Sequence, residues 1–233
     1  MKYFEYVFAA VLLFLLATPS LADGTGDPQY GTWNNMPSQD GIGSQINNSQ
    51  LNQQNSWSNL NVSVDTVGGN VAAQGAAAGN LIDVTTMNNT TVNNNQIVNM
   101  DATIGSNISL NANKVWGSVG IQNQVICNGA SVSTDPVLTS VQSNQECHAI
   151  DPYSQINTNI SNVAGNAVIQ GSALGNSFEA DSNAPNMPIM TRQINTSGTV
   201  SDINANVSNV GGSVGFSSSA VGNTAQIIHY STH

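Results

Sequence analysis

The chain has 233 residues, with three Lys and Arg against thirteen Asp and Glu, for a formal net charge of −10. Such a surface argues against binding to nucleic acid or anionic lipid through phosphate contacts, which need Lys and Arg. Charged residues make up only 7% of the chain, where a globular enzyme carries about a quarter, and asparagine fills the polar role instead, with 34 copies.

Residues 1–22 have the parts of a secretory signal peptide: Lys2, an apolar run from Val7 to Ala17, and the small-x-small Ser20-Leu21-Ala22. A retained membrane anchor is the alternative, but it needs about 18 to 20 apolar residues, and Pro19 ends this run. Cleavage after Ala22 is therefore expected. It leaves Lys114 and Arg192 as the only bases, and an exported, extracellular or cell-surface protein. Residues 23–43 are rich in Gly, Pro and Asp and lack periodicity, so they read as a flexible leader.

From residue 44 to 233 the sequence repeats. VGGNVAAQGAAAGN (67–80), VWGSVGIQNQVICN (115–128), VAGNAVIQGSALGN (163–176) and VGGSVGFSSSAVGN (210–223) are copies of one unit, with Gly69, Gly117, Gly165 and Gly212 spaced by 48, 48 and 47 residues. A period of this length marks stacked supersecondary units that bury their apolar faces against their neighbours.

Within each copy the apolar residues fall at spacings of 2, 2 and 3. They are Leu60, Val62, Val64, Val67, then Ile108, Leu110, Ala112, Val115, then Ile156, Thr158, Ile160, Val163, then Ile203, Ala205, Val207, Val210. That pattern predicts a strand with one buried face, followed by a bend. The repeat glycine at the bend is expected to supply a positive φ. A second strand follows, with Val71 and Ala73 or their equivalents inward. A turn is expected to close it at Gly79-Asn80, Cys127-Asn128, Gly175-Asn176 and Gly222-Asn223.

The remaining half of each unit reads as a variable connection. One holds an Asn/Thr tract, one the cysteines with Asp135-Pro136 and Asp151-Pro152, and one Pro185 and Pro188, which are expected to interrupt any ladder. Gly75 and Gly79 argue against helix in the Ala-rich stretch. The fold class is therefore all-β, a parallel β-solenoid of four repeats of about 48 residues. Asn should stack on Asn every ~4.8 Å along its axis. No charged cap follows Gly222, so the C-terminal end is expected to be a docking surface. A disordered coat protein is the bland alternative, disfavoured by the regular Val, Ile and Ala.

In an exported chain Cys127 and Cys147 are expected to form a disulfide, with two buried thiols as the alternative. His148, His229 and His233 make no ligand cluster, and no metal or other cofactor is expected. Glu179 and Asp181 share a face if their segment is strand, but read as solvated acids more than as a catalytic pair. No enzyme activity is expected. Trp33, Trp57 and Trp116 could stack on sugars, although packing, with Trp116 at an arc and Trp57 at the solenoid entrance, is the simpler role.

LNQQNSWSNLNVSVDTVGGNVAAQGAAAGN and NANVSNVGGSVGFSSSAVGN resemble repeats of bacterial functional-amyloid fibre subunits, the Fap type first and curli more distantly. Adhesins and proteins that anchor a holdfast to a cell surface have a similar texture. The resemblance implies a secreted structural component of a surface fibre or adhesin, supporting attachment or a biofilm matrix at the outer membrane of a bacterium. Its implied partners are further copies or other fibre subunits, an outer-membrane export or anchoring protein, and extracellular polysaccharide. The chain departs from the fibre pattern in its cysteine pair and in Gln74, Gln122 and Gln170 giving way to Ser217, which leaves room for a minor, nucleating or anchoring component. A carbohydrate-binding or carbohydrate-cleaving β-helix is the alternative.

Overall fold

A computed structural model describes residues 44–134, 139–183 and 187–230. The expected signal peptide and leader, Trp33, Asp135-Pro136, Pro185 and His233 lie outside them. Twelve strands follow one another: β1 (Ser44–Asn52), β2 (Ser56–Val67), β3 (Val71–Thr86), β4 (Thr90–Val98), β5 (Thr103–Val115), β6 (Val119–Thr134), β7 (Thr139–Cys147), β8 (Ile150–Val163), β9 (Ala167–Ser182), β10 (Ile189–Asn195), β11 (Val200–Val210) and β12 (Val214–His229). Every third strand pairs in parallel, giving sheets β1-β4-β7-β10, β2-β5-β8-β11 and β3-β6-β9-β12. The chain is a parallel β-solenoid of four rungs with three strands in each.

The register follows the repeat. Leu60 pairs with Ile108, Ile108 with Ile156 and Ile156 with Ile203, and Val67, Val115, Val163 and Val210 form another column. These residues, with Val71, Ala73, Ile121 and Ile169, line one apolar core. Thr158 sits in the Val62–Leu110–Ala205 column, and its hydroxyl donates to the Leu110 carbonyl at 2.8 Å. A buried polar group in that column thus has its partner.

The spacing of three before the arc has a cause the sequence reading misplaced. No described glycine has positive φ. Apart from Asp151 (22°), the described residues with positive φ are Thr66 (58°), Lys114 (52°), Asn162 (56°) and Asn209 (54°), one per rung at the same position. Each is the extra residue that returns the following valine to the interior. The repeat glycine serves close approach instead. A Cβ on Gly117 would lie 2.6 Å from the Gly69 carbonyl oxygen, and one on Gly165 2.7 Å from that of Gly117. The amides of Gly117, Gly165 and Gly212 donate to the carbonyls of Gly69, Gly117 and Gly165 at 2.9–3.1 Å. A side chain here would push successive arcs apart.

Two further expectations are corrected. The Gly-Asn positions do not end a strand: β3, β6, β9 and β12 each run on for 16 residues through them. The chain bends there without losing its ladder, and the asparagine turns inward. The connecting halves are also more than connections. Each contributes a third strand, β1, β4, β7 or β10, and Cys147 lies within one of these. Pro188 shortens the ladder without ending it: β10 starts at Ile189, two residues later than β4 and β7 in the same column, while the Pro188 carbonyl still accepts from the Val141 amide at 2.9 Å.

Candidate functional site: amide ladders and an open end

Two columns of amides run the length of the interior. Asn80 donates to Asn128, Asn128 to Asn176 and Asn176 to Asn223, at 2.8–2.9 Å. The first three also donate across the interior to the carbonyls of Ile97, Glu146 and Ile194. In the second column Gln193 donates to Gln145, Gln145 to Gln96 and Gln96 to Gln50, at 2.9–3.0 Å. Gln50, Gln96, Gln145 and Gln193 each donate to the third sheet as well, at Leu81, Gly129, Ser177 and Thr224. In the middle rungs these buried amides are tolerated because both ends of each are used, as at Asn128, Asn176, Gln96 and Gln145. The two columns have opposite sense: Asn donors point toward the C-terminal rung, and Gln donors toward the N-terminal one.

Outside, asparagines do the same at the surface, as in Asn107 onto Asn59, Asn159 onto Asn111 and Asn206 onto Asn159, at 2.9–3.2 Å. This accounts for the low charge. The surface binds itself along the axis, and the register is written in amides.

Cys127 and Cys147 are bonded, with Cα atoms 6.0 Å apart. Cys127 is in β6 of the second rung and Cys147 in β7 of the third, so the bridge joins consecutive rungs across two sheets. In the other copies the position of Cys127 is glycine (Gly79, Gly175, Gly222). There a strand of the neighbouring sheet packs close, and a Cβ on Gly79 would lie 2.7 Å from Val98 Cγ2. Beside the bridge, Glu146 meets Arg192, and His148 Nε2 lies 3.3 Å from its other oxygen. Burial pushes the Glu146 carboxyl up, but the hydrogen bonds from Arg192, His148 and Asn144 outweigh it and hold the group below its usual value.

Glu179 and Asp181 lie in β9, two residues apart on its outer face. Among the described residues no group of three or more His, Cys, Asp or Glu could hold a metal. Trp57 covers Gly105 of the next rung, and Trp116 stands at the second arc, 73% exposed.

The least satisfied part of the molecule is its C-terminal rung. Phe216 continues the column of Ala73, Ile121 and Ile169, and Ile227 that of Val84, Val132 and Ala180. Ile169 and Ala180 are fully buried, whereas Phe216 and Ile227 are 55% and 52% exposed. Val200, Val214 and Tyr230 are exposed beside them. No described strand pairs with the outer edge of β10, β11 or β12. The sequence reading expects a docking surface at this end. It gave no sign of the Gln column, which lies in the halves that looked variable.

No curated protein and no solved structure matches the chain significantly. The family model for holdfast attachment protein D matches residues 30–230. Of the resemblances drawn from the sequence, the holdfast-anchoring one is therefore carried, and no match extends to amyloid fibre subunits. With nearly the whole repeat array inside the match, the chain belongs to the holdfast attachment protein D family, a family of surface-attachment proteins.

Proposed function

We propose that this protein is a secreted, non-enzymatic structural component that ties holdfast material to the outer surface of the cell. The open C-terminal rung carries the reading: three strand edges without a described neighbour, framing exposed Phe216 and Ile227, on a scaffold otherwise rich in hydrogen bonds. A strand edge of this kind recruits another strand by main-chain pairing, and the apolar residues inside it gain by being covered. The amide ladders and the disulfide tie successive rungs to one another behind that edge. Outer-membrane association, an export or anchoring protein, and contact with extracellular polysaccharide belong to the same proposal.

The test is deletion of the gene, followed by complementation with the native chain or with a Phe216→Lys, Ile227→Lys double variant. Deletion should leave cells that release their adhesive material under flow. The native chain should restore retention, and the double variant, secreted at normal level, should not. Unchanged retention after deletion would sink the attachment reading.

A further inference from the structure

The occupant of the open rung can be read from the rungs already stacked. We infer that it is the N-terminal rung of a second copy, bound head to tail in the register that relates one rung to the next within the chain. The inference rests on the attachment reading and names the partner of the same surface.

Three observations favour this occupant. The first is ladder polarity. The asparagine column ends on Asn223, whose Oδ1 accepts from Asn176 and whose Nδ2 has no partner among the described residues. It begins on Asn80, whose Nδ2 is used twice and whose Oδ1 accepts nothing among them. A second copy set above the first places that acceptor over that donor, one more step of the same ladder. Two C-terminal ends facing each other would bring the donor end of the ladder against itself.

The second is shape. Continuing the columns puts Ala73 of the next copy over Phe216, and Val84 over Ile227. The large exposed side chains of one end thus meet small or medium ones of the other. The third is charge. In this register the exposed acids meet neutral polar partners: Asp202 lies beneath Asn59, Ser208 beneath Asp65, and Gln226 beneath Asp83. None of these columns sets acid on acid, in a chain with a net charge of −10. Because the two surfaces differ, the contact does not close on itself, and repetition gives a rod of copies.

Register is what the experiment must read. Stacked parallel strands hold column neighbours about 4.8 Å apart, within the Cα range that a disulfide spans. Two secreted single variants, Ser208→Cys and Asp65→Cys, both at outward positions of their strands, are mixed and mildly oxidised with the native disulfide intact. The expected product is the mixed cross-linked dimer, at least tenfold over the pair Asn206→Cys with Asp65→Cys, which is two residues out of register. Without added cysteines, the native chain should form concentration-dependent, open-ended oligomers by sedimentation.

Asn223→Asp is the discriminating variant. Aspartate still accepts from Asn176, so the fold should persist with an unchanged far-UV spectrum, but the donor facing Asn80 is gone and oligomerisation should fall several-fold. A monomer at every concentration, a closed dimer, or equal cross-linking in both registers overturns the inference. So does protection of the N-terminal rung by residues 23–43 of its own chain, seen as a thiol in the Asp65→Cys variant that stays unreactive in the monomer. Loss of retention on gene deletion together with a strictly monomeric protein would remove the stacking and leave the attachment reading standing.

Discussion

The second and third rungs and the fourth are built from one repeat, yet they have opposite fates. In the middle rungs Ile108, Ile156 and Ile169 are fully buried, and Asn128 and Asn176 have a ladder neighbour above and below. In the last rung Phe216 stands over Ile169 and Ile227 over Ala180, both of them in solvent. The sequence difference between these rungs is small. What separates them is a neighbour, because in a solenoid each repeat draws most of its stability from the interfaces on its two sides. The same chemistry that holds the middle together leaves the end open.

The comparison breaks most visibly in the core. Ile156→Ala should cost about 4 kcal/mol, since a fully buried branched side chain leaves a cavity between two filled rungs. Phe216→Ala should cost less than about 1 kcal/mol in the isolated chain, its side chain being already wet. Denaturant unfolding of the two variants measures the contrast, and equal losses would mean that the last rung is covered in solution.

Next comes the covalent link. Replacing Cys127 and Cys147 by alanine should cost about 3 kcal/mol, the chain-entropy value for a closed loop with a sequence separation of 20. The melting temperature of the double variant, against the native protein with and without reductant, checks it. A smaller step follows in the ladder. Asn128→Ala strips Asn80 of its acceptor and Asn176 of its donor in a buried column, and should cost about 2 kcal/mol. Asn223→Ala should cost less than Asn128→Ala in a monomer, since it removes only the acceptor of Asn176 and strands no donor above it.

The smallest effect concerns Glu146. Its folded-state pKa is below the ordinary carboxyl value, so it contributes stability above the unfolded pKa, lost as pH falls through the folded one. As pH falls through the carboxyl range the native chain should therefore lose slightly more stability than Arg192→Gln. The difference should stay under about 1 kcal/mol, because the Arg192 side chain is well solvated. Thermal unfolding across that range, with a difference of opposite sign, would remove the ion pair from the account.

Much of the fold was legible because the interior is written in residue type at fixed spacing. The 2-2-3 apolar pattern located β2, β5, β8 and β11 and their inward residues, and the register between copies followed from the period. The sequence was less informative where one letter serves two geometries. Gly79-Asn80 reads as a turn, but here the glycine makes room for Val98 and the asparagine joins a buried ladder. The left-handed residue was sought at glycine and lies at Thr66, Lys114, Asn162 and Asn209, where only two of the four have the side chain that favours it.

Sequence alone determined that this chain is nearly free of bases and built of four stackable units, because periodicity and composition need no partner to be read. Tertiary structure decided how those units close: three strands to a rung rather than two, with Gln50, Gln96, Gln145 and Gln193 hidden in segments that looked unconstrained. It also decided how far each inward side chain is covered by the described rungs. A side chain's burial depends on what lies above it, and Phe216 differs from Ile169 chiefly in having no described rung there.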